Sequence, residues 1–342
     1  MRLLFRADGN ATIGLGHVVR SLALADMVRT VAPCWFAIQN PSAAIRELLR
    51  QAQVTLLELP AQPIAQEAAY FAAQVQPTDV VVLDGYSFDT AYQHTLRRSG
   101  CRLAVIDDLR AWPTPADLII NHSPGVTPLM YQSRPEAQFC LGPEYSLLRA
   151  PFLRNFRLPT PPVPIAKVLV CFGGADPQQF TSRFLAALLP LETVQEVGVV
   201  TGSAFSNTPQ LTYLATGYPQ KQVNFYQNAS ASAMVALLQN HDTVVCPAST
   251  ILIESLFLGK AAVTGYYVEN QQHLATYVQQ HEQAFSLGDL TNIAADDLQG
   301  FLTQALYYLE HHPRQPYVLK PGQQRLEAAF RRLLPTGPKV VP

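Results

Sequence analysis

Short apolar runs alternate with stretches of helical periodicity along the whole chain, the pattern of α/β units built on parallel sheets. In the first half the runs predict strands over Arg2–Arg6, Cys34–Ile38, Val54–Leu57, Val80–Leu83, Leu103–Ile106 and Leu118–Ile120. Helical patterns between them include Arg20–Thr30 and Ala43–Gln51. In the second half strands are predicted over Lys167–Phe172, Val197–Thr201, Val223–Phe225, Thr243–Cys246 and Ala261–Thr264. Helices there include Thr181–Leu189, Ser232–Gln239 and Ile251–Gly259. A cluster of prolines at 151, 159, 161, 162 and 164 separates the halves, and proline supports neither a helix interior nor a central strand. The chain therefore reads as two Rossmann-like α/β domains, 1–150 and 166–342, joined by a proline-rich segment at 151–165. Facing each other across a cleft, they would turn the carboxyl ends of both sheets toward a ligand.

Composition narrows the function. A length of 342 residues suits two domains, and 48% hydrophobic residues supports large cores. A net charge of −1 argues against nucleic acid or an anionic membrane as the main partner. Five scattered cysteines without a Cys-x-x-Cys pair read as free thiols in a reducing, cytoplasmic setting. No secretory leader pattern opens the sequence, and no apolar run reaches the roughly 18 residues of a membrane span. A monomer without a cofactor is expected.

The most informative stretch follows the first strand. Gly14, Leu15 and Gly16 form a glycine turn, and a helix opens at His17 with Arg20 on the same face. Such a turn lets the backbone approach a ligand, and the helix start offers unpaired amides to an anion. His17 adds a group able to take a proton near neutral pH. A dinucleotide fingerprint is not met: Val19 replaces its third glycine, and no acid occurs between Asp26 and Glu47 to hold a ribose. A P-loop is also missing. Asp84 and Tyr86 leave the strand at 80–83, while Asp107 and Asp108 read as turn or cap residues. Metal-ligand spacing is not seen.

The second half carries two candidate anion-binding corners. One is the turn Gly173–Gly174 ahead of Asp176, whose amides could cradle a phosphate. The other is Ser249–Thr250, which either caps the following helix or leaves its amides for a phosphate. Glu254, one turn beyond Thr250, is placed to hold vicinal ribose hydroxyls. Asn270 and Gln271 return polar groups to the same sheet edge.

These motifs, in this order, resemble the PseG family of UDP-2,4-diacetamido-2,4,6-trideoxy-β-L-altropyranose hydrolases. The likeness includes Arg6-x-Asp8, Gly14-x-Gly16-His17, Arg20, Asp84-x-Tyr86 and Asn121. It continues through Gly173-Gly174-x-Asp176, Ser249-Thr250 and Glu254 to Asn270-Gln271. The resemblance implies a MurG-like, GT-B fold in which the second domain holds UDP. It implies that Gly173, Ser249, Thr250 and Glu254 grip diphosphate and ribose, with Asn270 and Gln271 near phosphates and sugar. It makes His17 the base that prepares water for inverting attack at the anomeric carbon. The chain departs from the family pattern at Gly85 and His122, where histidine and glutamine are usual, and both positions are implied to face the sugar. A related UDP-sugar glycosyltransferase and a non-catalytic nucleotide-sugar binding protein stay open as alternatives.

Overall fold

The computed structural model describes residues 1–9, 15–173, 176–202 and 205–334. The chain divides into two compact units: Met1–Ala150 with the segment starting at Lys320, and Pro151–Leu319. The first holds seven parallel strands: β1 (Leu3–Ala7), β2 (Cys34–Gln39), β3 (Thr55–Leu59), β4 (Val80–Asp84), β5 (Arg102–Ile106), β6 (Leu118–Asn121) and β7 (Gln138–Leu141). Their order is β3-β2-β1-β4-β5-β6-β7. Four helices lie between them: α1 (Gly16–Val28), α2 (Ala43–Gln51), α3 (Ile64–Ala72) and α4 (Thr90–Arg97).

Strands covered on both faces are mostly apolar; β1 and β4 are buried at every position, with Arg6 and Asp84 as their charged exceptions. The helices follow local rules. In α2, Ser42 accepts a capping hydrogen bond from Ile45 N (3.3 Å), and Ile45 and Leu49, one turn apart, enter the core. Phe71, Val81, Leu96, Leu103 and Ile119 belong to one continuous core of this unit.

The proline-rich segment opens as a short helix, α5 (Ala150–Arg154). Pro151 stands in its first turn, where the missing N–H costs nothing. Residues 156–166 then run without regular structure.

The second unit holds β8 (Lys167–Cys171), β9 (Glu196–Thr201), β10 (Gln222–Gln227), β11 (Thr243–Pro247), β12 (Ala261–Tyr266) and β13 (Phe285–Asp289). They are parallel, in the order β10-β9-β8-β11-β12-β13. With them run α6 (Phe180–Leu188), α7 (Thr208–Thr216), α8 (Ala231–Asn240), α9 (Thr250–Phe257), α10 (Glu269–Gln280) and α11 (Ala295–His311). Both sheets reverse their winding once, between β1 and β4 and between β8 and β11. In open α/β sheets, ligands bind outside the carboxyl ends of the strands at such a reversal.

The sequence assigns 166–342 to one domain, and the structure differs beyond Leu319. The last helix, α12 (Gln323–Leu333), packs on α1 and β7 of the first unit. Leu326, Ala329, Phe330 and Leu333 recur at helical spacing and form its buried stripe. Gly322 N donates to Glu144 O (2.7 Å), and a Cβ at Gly322 would collide with that carbonyl. Glycine is required at this crossing.

Candidate active site

At the winding reversal of the first unit, α1 brings His17, Arg20 and Ser21 onto one face, and all three meet Asp84 at the end of β4. His17 Nδ1 lies 2.8 Å from Asp84 Oδ1. Arg20 donates from Nε to Asp84 Oδ2 (3.0 Å) and from Nη2 to Oδ1 (2.5 Å). Ser21 Oγ donates to Oδ2 (3.1 Å). Asp84 is completely buried. Burial alone would raise its carboxyl, but the Arg20 charge and the hydrogen bonds from His17 and Arg20 outweigh that and hold it below the usual carboxylate range. Arg20 Nη2 also lies 3.2 Å from Nδ1, but the Asp84 contact is the shorter, and an ionised carboxylate only accepts, which assigns the imidazole proton to Nδ1. The lone pair is left on Nε2.

Arg20 also donates from Nη1 to Asp108 Oδ2 (2.9 Å). Burial works against the guanidinium charge, and Asp84 and Asp108 more than restore it. One cation thus faces two carboxylates, an excess of negative charge. Tyr86 stands edge-on to the His17 ring at 4.8 Å, and its hydroxyl reaches Asp108 Oδ2 at 3.5 Å. A pocket of about 190 Å³ is lined by Asp8, His17, Gly85, Tyr86, Ser87 and Phe88. Whole-ligand pockets typically measure ~300–1,000 Å³, so this one fits part of a ligand. A smaller pocket of about 40 Å³ shares Gly85, Tyr86 and Phe88 and reaches Asp107, Asp108 and Trp112. A Cβ at Gly85 would begin 2.9 Å from Phe88 Cε2, so a side chain there would have to displace that ring.

His122 follows β6. Its Nδ1 is buried with no hydrogen-bond partner among the described residues. Burial, helped by the Arg20 charge, pushes the ring down to about 4 and keeps it neutral. Asn121 is turned inward instead: its amide donates to Tyr131 Oη (2.9 Å) and its oxygen accepts from Ser123 N (2.8 Å). Asp107 caps a turn by accepting from Leu109 N and Arg110 N (3.0 and 2.8 Å), as its position suggests. Gly16 is the first residue of α1, whereas Gly14 lies outside the described residues.

In the second unit the candidates gather after β8, β11 and β12, which are neighbours in the sheet. Gly173 adopts φ +88° after β8, and no atom of the described residues lies within 4 Å of where a Cβ would stand. Gly174 lies outside the described residues. Asp176 caps α6, accepting from Phe180 N (3.0 Å) and Thr181 N (2.7 Å). Ser249 precedes α9 in extended conformation, and its side chain makes no cap. Thr250 is exposed, whereas Glu254 is only 3% exposed on the same helix. Asn270 is exposed in the first turn of α10, and Gln271 Oε1 accepts from Tyr267 N (3.2 Å). The five cysteines are free. Among the described residues no cluster of His, Cys, Asp and Glu could hold a metal, and no helix is long and apolar enough to cross a membrane.

No protein-family model matches the chain. An uncharacterized protein of Methanocaldococcus jannaschii is 23% identical over 286 residues, 80% of this chain. That match spans 57% of the archaeal protein, little more than half its length. The UDP-2,4-diacetamido-2,4,6-trideoxy-β-L-altropyranose hydrolase of Campylobacter jejuni is 20% identical over 294 residues, 81% of this chain and 96% of that one. Among solved structures, MurG of Acinetobacter baumannii is similar with a TM-score of 0.66 at 14% identity, covering 97% of this chain and 99% of the other. HepE of Anabaena in complex with UDP is similar with a TM-score of 0.60 at 14% identity, covering 98% and 96%. The fold is GT-B: two Rossmann-like domains, each on a parallel sheet.

The sequence singled out His17, Arg20, Asp84 and Tyr86, and the structure brings all four together. It adds Asp108, which the sequence reads as a turn residue, and Ser21 and Asp8. Ser21 had a usable signal, four residues after His17 on the helix face that carries Arg20. Asp108 had none, because adjacent carboxylates in an extended segment point apart and only the fold shows which one turns inward.

Proposed function

We propose that the chain is a UDP-sugar hydrolase that releases UDP and a free diacetamido-trideoxyhexose. The observation that carries this reading is the His17–Asp84 pair at 2.8 Å, which reserves Nε2 as a base in a pocket with Asp8 and Tyr86. His17 Nε2 takes a proton from water, and the water oxygen forms a bond to the anomeric carbon. The bond from that carbon to the phosphate oxygen breaks, and UDP departs with the electron pair. Attack from the opposite face inverts the centre. Asp84 stabilises the imidazolium as it forms, in the manner of a carboxylate–histidine pair.

Charge supports the same reading. The sugar ring gains positive character as its bond to UDP breaks. The carboxylates of Asp84 and Asp108, only partly offset by Arg20, favour that charge. Arg20 is committed to these carboxylates and is a poor phosphate ligand. The diphosphate is therefore assigned to the second unit: Gly173, Gly174, Ser249 and Thr250 for the phosphates, Glu254 for the ribose, Asn270 and Gln271 close to the sugar. Gly14 and Gly16 admit the sugar beside His17. The hydrolase named in Campylobacter jejuni and the UDP complex of the Anabaena protein favour a UDP-sugar.

Transfer to an acceptor other than water is the second reading, favoured by the likeness to MurG. The test follows UDP release from UDP-2,4-diacetamido-2,4,6-trideoxy-β-L-altropyranose and other UDP-sugars, with NMR of the freshly formed sugar. Wild type is expected to yield free, inverted sugar, and His17→Ala to lose ~10²–10⁴-fold in rate. An unchanged His17→Ala rate removes the base; sugar appearing only on an added acceptor makes the enzyme a transferase.

A further inference from the structure

Arg6 lies in β1 with its guanidinium wholly buried. It donates from Nε to Glu67 Oε1 (2.7 Å) and from Nη2 to Glu67 Oε2 (2.6 Å). Glu67 is also buried and accepts from Tyr92 Oη (2.6 Å) and from the Gln39 amide. From its other edge Arg6 donates to both oxygens of Asp8, Nη1 to Oδ1 (2.6 Å) and Nη2 to Oδ2 (2.7 Å). The Phe88 ring lies under the guanidinium, 5.1 Å away. Asp8 itself is 30% exposed and lines the pocket that holds His17.

Burying ions costs desolvation that their attraction only partly returns, so such a network is weak evidence for stability. Its geometric effect is to fix the plane of one carboxylate. Each Asp8 oxygen keeps a further acceptor site after Arg6 has taken its share. Among the described residues, the other groups lining that pocket are His17, Gly85, Tyr86, Ser87 and Phe88, with neither lysine nor arginine. Such a pocket repels phosphate and suits a hydrogen-bond donor.

Resting on the hydrolase reading, we propose that Asp8 is a substrate-binding residue that accepts a hydrogen bond from the sugar, either its ring hydroxyl or an acetamido N–H. It thereby orients the ring before His17. The sugar of the proposed substrate has one free ring hydroxyl, at C3, so a 3-deoxy analogue separates the two donors.

The experiment compares wild type, Asp8→Ala and Asp8→Gly on UDP-2,4-diacetamido-2,4,6-trideoxy-β-L-altropyranose and on its 3-deoxy analogue, with UDP affinity measured by calorimetry. Hydrogen bonds to charged groups imply a loss of roughly 10–100-fold in kcat/KM for Asp8→Ala. UDP affinity should stay within twofold, and formate should restore part of the Asp8→Gly rate by seating against Arg6. If the C3 hydroxyl is the donor, the analogue is slow with wild type and no slower with Asp8→Ala; if an N–H is, Asp8→Ala slows both alike. An Asp8→Ala rate within twofold of wild type overturns this inference alone, as does a loss of UDP affinity without formate rescue. Wild type releasing no UDP overturns the hydrolase reading, and this inference with it.

Discussion

His17 and Asp84 are joined through Nδ1 and Oδ1 at 2.8 Å, although one opens a helix and the other ends a strand 67 positions later. The bond fixes which imidazole nitrogen carries the proton. Asp84→Asn removes the charge but keeps the shape. We expect kcat for UDP release to fall roughly 100-fold or more, with UDP affinity unchanged. Equal kcat in stopped-flow and steady-state assays would show that His17 needs no partner.

His122 makes stability depend on pH. Its folded value of about 4 lies below the ordinary 6.5, so as pH falls the unfolded chain takes up the proton first. The contribution is complete above pH 6.5 and is lost progressively down to about 4. His122→Gln should flatten the dependence of Tm on pH across that window. Parallel wild-type and variant curves would refute the assignment. Asp84 and Glu67, whose carboxyls are held low despite their burial, contribute stability that is lost only as pH falls through and below the ordinary carboxylate range.

Glu254→Ala should weaken UDP binding at least tenfold, in proportion to the loss of roughly 1.5–3 kcal/mol for a charge-assisted hydrogen bond to ribose. Calorimetry decides it; unaltered affinity assigns this buried carboxylate to holding α9 in place.

Phe330 of α12 is completely buried. Phe330→Ala should cost about 3–5 kcal/mol in denaturant unfolding. The loss should fall on the first unit, seen as earlier exchange of the amides of α1 and β7. Faster exchange confined to the second unit would contradict the packing described.

Much of the fold was legible because the buried parallel strands carry long apolar runs. The runs at 80–83 and 243–246 became β4 and β11 with an added residue each, Asp84 and Pro247. β7 and β13 were missed for the converse reason. Both are edge strands and only partly buried, so Gln138–Leu141 and Phe285–Asp289 mix polar and apolar residues. At the site, His17 and Arg20 could be read from helix spacing, and Asp84 from its place at a strand end. The Arg6–Glu67 pair could not, since it joins residues 61 apart across a strand and a helix. Sequence order also misplaced α12, because nothing in an amphipathic stripe names the surface it will cover.

The return of α12 bears on how the molecule is made. A ribosome delivers β1 to β7 early, yet the helix that covers α1 and β7 is synthesised only after all of Pro151–Leu319. Domains generally fold as they emerge, so the first unit must wait with an apolar face open to water while the second completes itself. A chaperone that guards nascent chains would find its longest task there, and a ribosome stalled before codon 320 would leave the His17 half of the protein unfinished.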